Sequence, residues 1–336
     1  MTDDVTIEDI LATLDKETLS MVHKGRDISV ERLPTASFGL NHLLDGGLKI
    51  GAQHTFWGNE QSGKSAVMMQ TVALNQRLGV PCAWIDAEHS FDPVWAEKLG
   101  VDVDRLVVSQ SASIADTANL QIKLIASGIR FLVIDSTSAL KPASFFTDGE
   151  LKDFDKTRQV AQFAKDYGNM CSYVQARNWT CVVVHISQVR VDLGNSFMPG
   201  MKPAGGNESG HTDQLRVRLF SSKSEKQAIM GQVQRGGILM EERVGRTVTW
   251  SIDKNKLNGR YGTGTYALYT MGDFVGIDRA SELLAYGIKY GIVSKGGAWY
   301  TVEGERLQGD SKATGFIREN PEVAAKLEEQ ICEKSF

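Results

Sequence analysis

Between about residues 34 and 270, short apolar runs alternate with longer stretches whose apolar positions recur at helical spacing. The apolar runs are rich in β-branched and aromatic residues, as buried strands are, and lie at 54–57, 82–86, 105–108, 131–135 and 181–186. Two later runs, at 215–220 and 246–252, alternate apolar with polar positions and predict further strands toward one side of the same sheet. Strands separated by helices indicate an α/β fold with a mostly parallel central sheet flanked by helices.

The chain outside this region has different patterns. Residues 1–33 place apolar positions at helical spacing around a capping-box sequence at 6–9, which predicts a helical arm that packs on its own domain or on a neighbouring subunit. Residues 271–336 mix strand and helix patterns, end in a charged helix over 321–334, and predict a small C-terminal α/β domain. The segment 190–212 is rich in Gly, Pro, Ser and Asn without periodicity, which predicts a functional or disordered segment.

Residues 58–65 have the pattern G-x-x-x-x-G-K-[ST] of a phosphate-binding loop, and a helix is predicted to follow over 64–78, ending at Gly79. The glycines let successive backbone N–H groups point at one anion, and the helix N-terminus adds the positive end of its dipole. We predict that Lys64 reaches the β- and γ-phosphates and that the Ser65 hydroxyl ligates Mg²⁺. The predicted nucleotide-binding loop consists of Gly58, Asn59, Glu60, Gln61, Ser62, Gly63, Lys64 and Ser65.

Polar side chains follow three of the predicted strands, at the sheet edge where open parallel sheets bind ligands. Asp135 follows four apolar residues, the pattern of an acid that holds Mg²⁺ directly or through water. Glu88 is predicted to orient and deprotonate the water that attacks the γ-phosphate. Gln188 either bonds the γ-phosphate and reports its presence or satisfies backbone groups at its strand end. Asp86 and His89 are expected to make turn or cap hydrogen bonds instead.

Lys254 and Lys256 stand two residues apart on a predicted extended segment, so that both ammonium groups point to one face. Such a pair can clamp phosphates in its own site or in a neighbour's. As isolated residues the two lysines are more typical of solvated surface charges.

Composition narrows the class of protein. The net charge of −4 argues against a globally basic nucleic-acid binder, although it allows a local basic groove. The four cysteines form no C-x-x-C pair, which disfavours a zinc site or a disulfide framework. The N-terminal residues have no basic region followed by an apolar one, and no run reaches the length of a membrane helix. We therefore expect a cytoplasmic protein with no membrane partner.

These motifs, in this order, resemble those of bacterial RecA recombinases over about residues 34–325. The resemblance rests on IDAEHSFDPVWAEKLGVDVDRL, FLVIDSTSALKP, SQVR, the GGN at 205–207, the KNKL at 254–257 and the GGAWYTVEGERL at 296–307. It implies a P-loop RecA-type ATPase core over 34–270, an N-terminal oligomerisation arm over 1–33 and a C-terminal domain over 271–336.

The resemblance also implies roles for single residues in an ATP and Mg²⁺ site. Glu88 is the implied catalytic carboxylate, Gln188 the γ-phosphate sensor, and Lys254 and Lys256 the pair that reaches the ATP of the neighbouring subunit, as an arginine finger does. Further implied contacts are Asp135 with Mg²⁺ and water, and Asp92, Trp95 and Tyr269 with adenine, where Trp95 replaces the family's tyrosine.

Two DNA-binding loops are implied, at about 144–160 and 189–210. The first lacks the family's Met-Gly tip and carries Phe154, Lys156 and Arg158 instead. For the second, the implied DNA contacts are Arg190 on phosphate, Phe197 between bases, and the backbone of Gly205, Gly206 and Asn207. Apolar insertion combined with backbone contacts binds single-stranded DNA without reading its sequence.

The leading hypothesis is therefore an ATP-dependent recombinase that forms helical filaments on single-stranded DNA and pairs them with homologous double-stranded DNA in recombination and repair. Two alternatives remain, a hexameric helicase or translocase built on the same core and a non-catalytic DNA scaffold locked by nucleotide. The KNKL sequence and the C-terminal resemblance argue against the first alternative. The intact Lys64, Ser65, Glu88 and Asp135 argue against the second.

Overall fold

The computed structural model describes residues 6–19, 22, 24–142, 156–192, 200–203, 209–221, 228–272 and 274–334. The chain divides into two units, Met1–Glu31 and Arg32–Phe336. The first unit contains helices α1 (Ile7–Ala12) and α2 (Lys16–Leu19) and a 3-10 helix (Gly25–Asp27). The predicted capping box is confirmed, because the Thr6 side chain accepts from the Asp9 amide and the Asp9 side chain accepts from the Thr6 amide.

The second unit is built on an eleven-stranded sheet. Nine of its strands run across the sheet in the order β13 (Gly276–Ile277), β12 (Thr263–Tyr269), β11 (Ile238–Asn255), β9 (Asp213–Phe220), β3 (Ala52–Gly58), β7 (Val182–Asp192), β6 (Phe131–Asp135), β4 (Cys82–Asp86) and β5 (Leu106–Ser109). The other two are β10 (Ala228–Arg235), which pairs with β11, and β8 (Gly200–Pro203), which pairs with β7. A short antiparallel pair, β1 (Arg32–Leu33) and β2 (Leu48–Lys49), lies outside this sheet.

The helices of this unit are α3 (Phe38–Leu43), α4 (Lys64–Arg77), α5 (Pro93–Lys98), α6 (Ile114–Ala126), α7 (Lys156–Gln175), α8 (Ser209–Thr212), α9 (Arg279–Lys289), α10 (Asp310–Glu319) and α11 (Pro321–Lys334). A separate three-stranded antiparallel sheet contains β14 (Ser294–Gly296), β15 (Trp299–Val302) and β16 (Glu305–Gln308). Among the described residues, no helix combines the length and the apolar character that crossing a membrane requires.

The central sheet is parallel from β9 to β5 and antiparallel from β11 to β13. This confirms the predicted α/β fold with a mostly parallel sheet. Strands β3, β4 and β6 are buried on both faces, and the runs in β4 and β6 are accordingly apolar up to their terminal acids. In β6, Phe131 and Val133 join one apolar cluster with α4, while Leu132 and Ile134 join another with α6 and α7.

Helix α4 follows the prediction at both ends. It begins directly after Gly63, whose φ of +89° is readily adopted only by glycine, and it is followed by Gly79 with φ +78°. Its first turn therefore lies immediately beyond the phosphate-binding sequence, as that motif requires.

The C-terminal elements pack around a third apolar cluster formed by α9, β15, α10 and α11, to which Phe38 of α3 also belongs. Glu282 of α9 joins the two regions, because its buried carboxylate accepts from the Ser37 hydroxyl at 2.7 Å and the Phe38 amide at 2.9 Å. Burial raises the pKa of Glu282 to about 7, although these donors favour the charged form.

Two parts of the sheet depart from the sequence-based expectation. The segment 190–212 is predicted to be functional or disordered, but in its described parts β7 continues to Asp192 and pairs with β8, and α8 precedes β9. Strand β11 also begins at Ile238, earlier than the predicted 246, because β10 and the first part of β11 form a hairpin that the sequence analysis missed. In both cases cross-strand pairing orders a sequence that has little apolar periodicity of its own.

Candidate functional site

The phosphate-binding sequence forms a tight loop between β3 and α4. A Cβ atom at Gly58 would lie 1.8 Å from the Leu219 carbonyl oxygen, so the neighbouring strand β9 leaves room only for glycine. Gln61 has φ +60°, a left-handed conformation that lets adjacent N–H groups converge on an anion. The Ser62 hydroxyl is buried and has no hydrogen-bond partner within the described parts of the chain. An unpaired buried hydroxyl beside such a loop fits a site for a phosphate oxygen.

Lys64 lies in this loop with its ammonium group folded back on it. Its Nζ donates to the carbonyl oxygens of Gly58 at 3.0 Å and Asn59 at 2.7 Å. Burial lowers the pKa of Lys64, and the carboxylates of Asp135, Glu88 and Glu60 oppose that effect. The ammonium group thus donates to two carbonyl oxygens and lies near three acids. Phosphate oxygens can replace the two carbonyl oxygens as acceptors.

Asp135 ends β6 beside the first turn of α4. The Ser65 side chain is hydrogen-bonded to its carboxylate. Burial is the largest cause that raises the pKa of Asp135 to about 6; the nearby Glu88 acts in the same direction, whereas the Ser65 hydrogen bond and Lys64 act against it. A divalent cation offsets the repulsion between a buried carboxylate and a neighbouring acid. Mg²⁺ typically binds through one or two carboxylates together with substrate phosphates. Ser65 and Asp135 therefore fit the predicted Mg²⁺ site.

Glu88 and Gln188 are in direct contact. The Gln188 amide nitrogen donates to Glu88 Oε1 at 3.0 Å, and the Ser136 hydroxyl donates to the same oxygen. The backbone amide of Gln188 donates to the Ser138 hydroxyl at 3.0 Å. The structure thus brings together the predicted base at the end of β4, the predicted sensor on β7, and two serines that follow β6. The two serines were missed, although they stand in the STS sequence directly after Asp135.

The expectation for Asp86 is confirmed. Its carboxylate accepts from the backbone amides of Ser90 at 3.1 Å and Phe91 at 2.9 Å, and so fixes the turn after β4. His89 lies in that turn with φ +56°. This turn is what presents Glu88 to Gln188.

Of the three predicted adenine contacts, Asp92 and Trp95 lie at the start of α5, whereas Tyr269 lies on β12. Asp92 caps α5 by accepting from the amides of Val94 at 2.9 Å and Trp95 at 3.3 Å. Trp95 is partly buried against the first apolar cluster, whereas Tyr269 ends β12 and meets Phe274 edge-on at 5.8 Å. In the described residues Trp95 and Tyr269 make no ring contact with each other. Their role in base binding remains a prediction.

The lysine pair lies where β11 leaves the sheet. Lys254 is opposite Arg216 of β9, and Arg216 is opposite Thr55 of β3, so the three residues form one row across neighbouring strands. Burial and the neighbouring Lys256 lower the pKa of Lys254 to about 8. Lys256 Nζ donates to the His211 carbonyl oxygen at 3.3 Å. The two ammonium groups therefore face the same region, as the spacing predicted.

A buried acid that the sequence analysis missed lies beside this row. Asp213, the first residue of β9, is fully buried and accepts from Thr55 Oγ1 at 3.0 Å and Arg216 Nε at 2.6 Å. The signal in the sequence was an acid that precedes arginines at alternate positions of a strand, DQLRVRLF.

The eight predicted DNA contacts fall into two groups. Five of them lie outside the described residues: Phe154, Phe197, Gly205, Gly206 and Asn207. Of the other three only the backbone is described. Lys156 and Arg158 stand in the first turn of α7, so the predicted first loop ends in a helix, and Arg190 pairs with Lys202 between β7 and β8. The DNA contacts thus remain predictions.

Comparison with known proteins identifies the family. The family model of the RecA N-terminal domain matches residues 3–268, and that of the RecA C-terminal domain matches residues 281–335. The chain belongs to the RecA family. Among its relatives, Protein RecA of Methylobacterium sp. (strain 4-46) is 31% identical over 334 residues, which cover 98% of this chain and 86% of the relative. Protein RecA of Xylella fastidiosa (strain M12) is 35% identical over 313 residues, which cover 91% of this chain and 84% of the relative. The resemblance drawn from the motifs is thereby confirmed.

Proposed function

We propose that this RecA-family recombinase is a DNA-dependent ATPase that assembles on single-stranded DNA, binds ATP between adjacent subunits, and exchanges strands with homologous double-stranded DNA. The observation that carries the proposal is the contact between Glu88 and Gln188. It joins the candidate base to the strand that leads directly into the predicted second DNA-binding loop.

In the proposed mechanism, nucleotide binding replaces contacts that the loop makes with itself. Lys64 exchanges the carbonyl oxygens of Gly58 and Asn59 for β- and γ-phosphate oxygens, and the unpaired Ser62 hydroxyl donates to a phosphate oxygen. Ser65 and Asp135 would hold Mg²⁺, which supplies positive charge to the β- and γ-phosphate oxygens when it is bound.

Glu88 then orients a water toward the γ-phosphate and accepts its proton. Gln188 can bond either Glu88 or the γ-phosphate, because its amide is neutral and remains so at any working pH. A change of partner at Gln188 moves the end of β7. The state of the nucleotide is thereby transmitted toward the region that is predicted to contact DNA.

Lys254 and Lys256 complete the site of the adjacent subunit in this proposal. Within their own subunit Lys254 lies beside Arg216 and Lys256 donates to the His211 carbonyl oxygen, whereas Lys64 is surrounded by the acids Asp135, Glu88 and Glu60. An ATP site assembled from two subunits makes hydrolysis depend on the filament. It favours the recombinase over a scaffold that does not hydrolyse ATP.

The experiment is a mixing test with two variants that are each expected to be inactive. Lys64→Ala lacks the loop lysine but offers an intact lysine pair, while Lys254→Gln with Lys256→Gln has an intact loop but no pair. Mixed on single-stranded DNA, the two chains form some sites with an intact loop and an intact pair. ATP hydrolysis should therefore reappear in the mixture. No recovery, with both variants still binding DNA, would show that the lysine pair does not act in the neighbour's site.

Strand exchange tests the reaction itself. We expect joint molecules between single-stranded DNA and homologous duplex when ATP is present. Unwinding without joint molecules would favour a translocase, and filaments without any ATP hydrolysis would favour a scaffold.

A further inference from the structure

Asp213 is a buried acid that the proposed mechanism does not use. It has no exposed surface, and it stands at the start of β9, directly after α8. Burial raises the pKa of its carboxyl group, whereas Arg216 and the Thr55 hydroxyl lower it. With Arg216 Nε at 2.6 Å, the group is a carboxylate in a hydrogen-bonded ion pair. Burying a charge costs free energy unless the charge is paired. The contacts with Arg216 and Thr55 therefore fix the position of the Asp213 carboxylate.

The partners of Asp213 connect it with both halves of the proposed ATP site. Thr55 lies on β3, the strand that leads into the phosphate-binding loop at Gly58. Arg216 lies on β9 directly opposite Lys254 of β11. Asp213 therefore lies beside a row of residues that runs across three adjacent strands, from the loop strand to the lysine pair.

The charges near Lys254 are mostly positive. Lys256 and Arg216 both disfavour its ammonium form, and Asp213 is the acid whose charge opposes them. Asp253 is adjacent to Lys254 in the chain, but its carboxylate accepts from Trp57 Nε1 at 2.9 Å and from the Ser251 hydroxyl at 3.3 Å. Asp213, which lies on another strand, is thus an anion that favours the charged form of Lys254.

We propose that Asp213 is a positioning residue, fixed by Arg216 and Thr55, that keeps the Lys254 ammonium group charged and in place at the end of β11. This inference rests on the proposed function, because it gives Lys254 its role on the neighbour's ATP. It adds an acid that contacts no nucleotide and acts only through the lysine.

The test compares Asp213→Asn with Asp253→Asn. The asparagine at 213 can keep both hydrogen bonds, since its amide oxygen can accept from Arg216 and its amide nitrogen can donate to Thr55. Asp213→Asn then removes only the negative charge at this position. Asp253→Asn is the matched control, because it removes a carboxylate next to Lys254 in the chain that is directed at Trp57.

The first measurement is the pH dependence of reductive methylation at Lys254, followed by peptide mass spectrometry on the free chain. In the unsubstituted protein Lys254 should titrate at about 8. In Asp213→Asn its pKa should fall by roughly one unit, as expected for losing one nearby charge in a partly buried site. Asp253→Asn should shift it less. An unchanged Lys254 pKa in Asp213→Asn, or an equal shift in the control, would overturn the proposal.

The second measurement is DNA-stimulated ATP hydrolysis as a function of pH. Loss of the Asp213 charge should move the alkaline fall in activity to lower pH, whereas a general loss of structure would reduce activity equally at all pH values.

If Asp213→Asn does not fold, the pair Asp213→Asn with Arg216→Gln replaces the buried ion pair by two amides. The Lys254 pKa in this pair should lie below that in Arg216→Gln alone, which differs from the pair only by the Asp213 charge, and an equal or higher value would contradict the role of Asp213. An unsubstituted chain that lacks DNA-stimulated hydrolysis would count against the proposed function, while the methylation result would still decide the role of Asp213.

Discussion

Two regions of this protein each contain a lysine cation that is at least partly buried, and the charges that surround the two cations have opposite signs. Lys64 is more deeply buried, and the charges around it are the acids Asp135, Glu88 and Glu60. Lys254 is only partly buried, yet two of the charges around it are the cations Lys256 and Arg216. The first region holds its cation within one subunit before any ligand arrives. The second region concentrates positive charge that a phosphate group outside its own subunit can neutralise.

The two regions differ in how their charge depends on assembly. An acid-rich environment keeps Lys64 charged in a single chain, whereas a cation-rich environment makes the charged state of Lys254 costly until an anion binds. In the proposed filament that anion is the triphosphate of the adjacent subunit. In the free chain, the negative charge of Asp213 partly offsets the repulsion from Lys256 and Arg216 and so keeps the Lys254 ammonium group charged.

The largest expected effect is at Glu88, because this acid belongs to the first region and also makes the contact with Gln188. Glu88→Gln should lower the kcat for ATP hydrolysis by about 10²–10⁴-fold, the usual contribution of a general base, while ATP still binds. Steady-state hydrolysis and nucleotide titration together measure this. Glu97→Gln, an exposed acid on α5, is the control and should keep full activity. A Glu88→Gln chain that hydrolyses ATP normally would rule out the assignment of the base.

Lys64→Ala should have the next largest effect. Removing this ammonium takes away the main cation among three acids and one contact to the transferred phosphate, so hydrolysis should fall by about 10²–10³-fold. Nucleotide affinity should fall as well, in contrast to Glu88→Gln. Lys98→Ala, in the last turn of α5, is the matched control. Normal hydrolysis by Lys64→Ala would show that the phosphate site lies elsewhere.

The lysine pair should give a smaller effect that appears only in the assembled state. Lys254→Gln should lower DNA-stimulated hydrolysis by about 10–100-fold, because one of two cations remains, and should leave ATP binding to the free chain unchanged. Hydrolysis is measured with and without single-stranded DNA. An equal loss under both conditions would mean that Lys254 acts within its own subunit, and the contrast between the two regions would fail.

The smallest expected effect is the pH dependence that distinguishes the two lysines. The pKa of Lys254 is lowered to about 8, so its cationic form is present below that value and is lost as pH rises through it. DNA-stimulated hydrolysis should therefore decline above about pH 8. In Lys254→Gln the remaining activity should lack this decline. If the variant retains the same alkaline decline, another group is responsible for it.

The centre of the parallel part of the sheet was predictable because β4 and β6 are buried on both faces and therefore have apolar runs that end at an acid. The run Phe131 to Ile134, ending at Asp135, gave the strand and the acid at its end together. The hairpin of β10 and β11 was not predictable in this way, since much of it is exposed and its order comes from pairing between strands. Likewise, pairing with β8 extends β7 beyond Gln188.

The residues of the candidate site fall into the same two groups, those placed by the local sequence and those brought together by the order of the strands. The phosphate-binding loop, Glu88 and Asp135 were predictable because each stands at a fixed place relative to one strand or helix, and local geometry requires particular residue types there. The contact of Gln188 with Glu88, and the serines that follow Asp135, join separate strands and depend on the order of those strands in the sheet.

Residue types and their spacing along the chain were enough to predict the family, the α/β fold, and the tight loop between β3 and α4 that is proposed to bind phosphate. Only the tertiary structure decided that Asp213 would be buried against Thr55 and Arg216, in a row that ends at Lys254. The physical reason is that electrostatic interactions depend on distance in space and on burial, and strands far apart in the sequence become neighbours only when the sheet is formed.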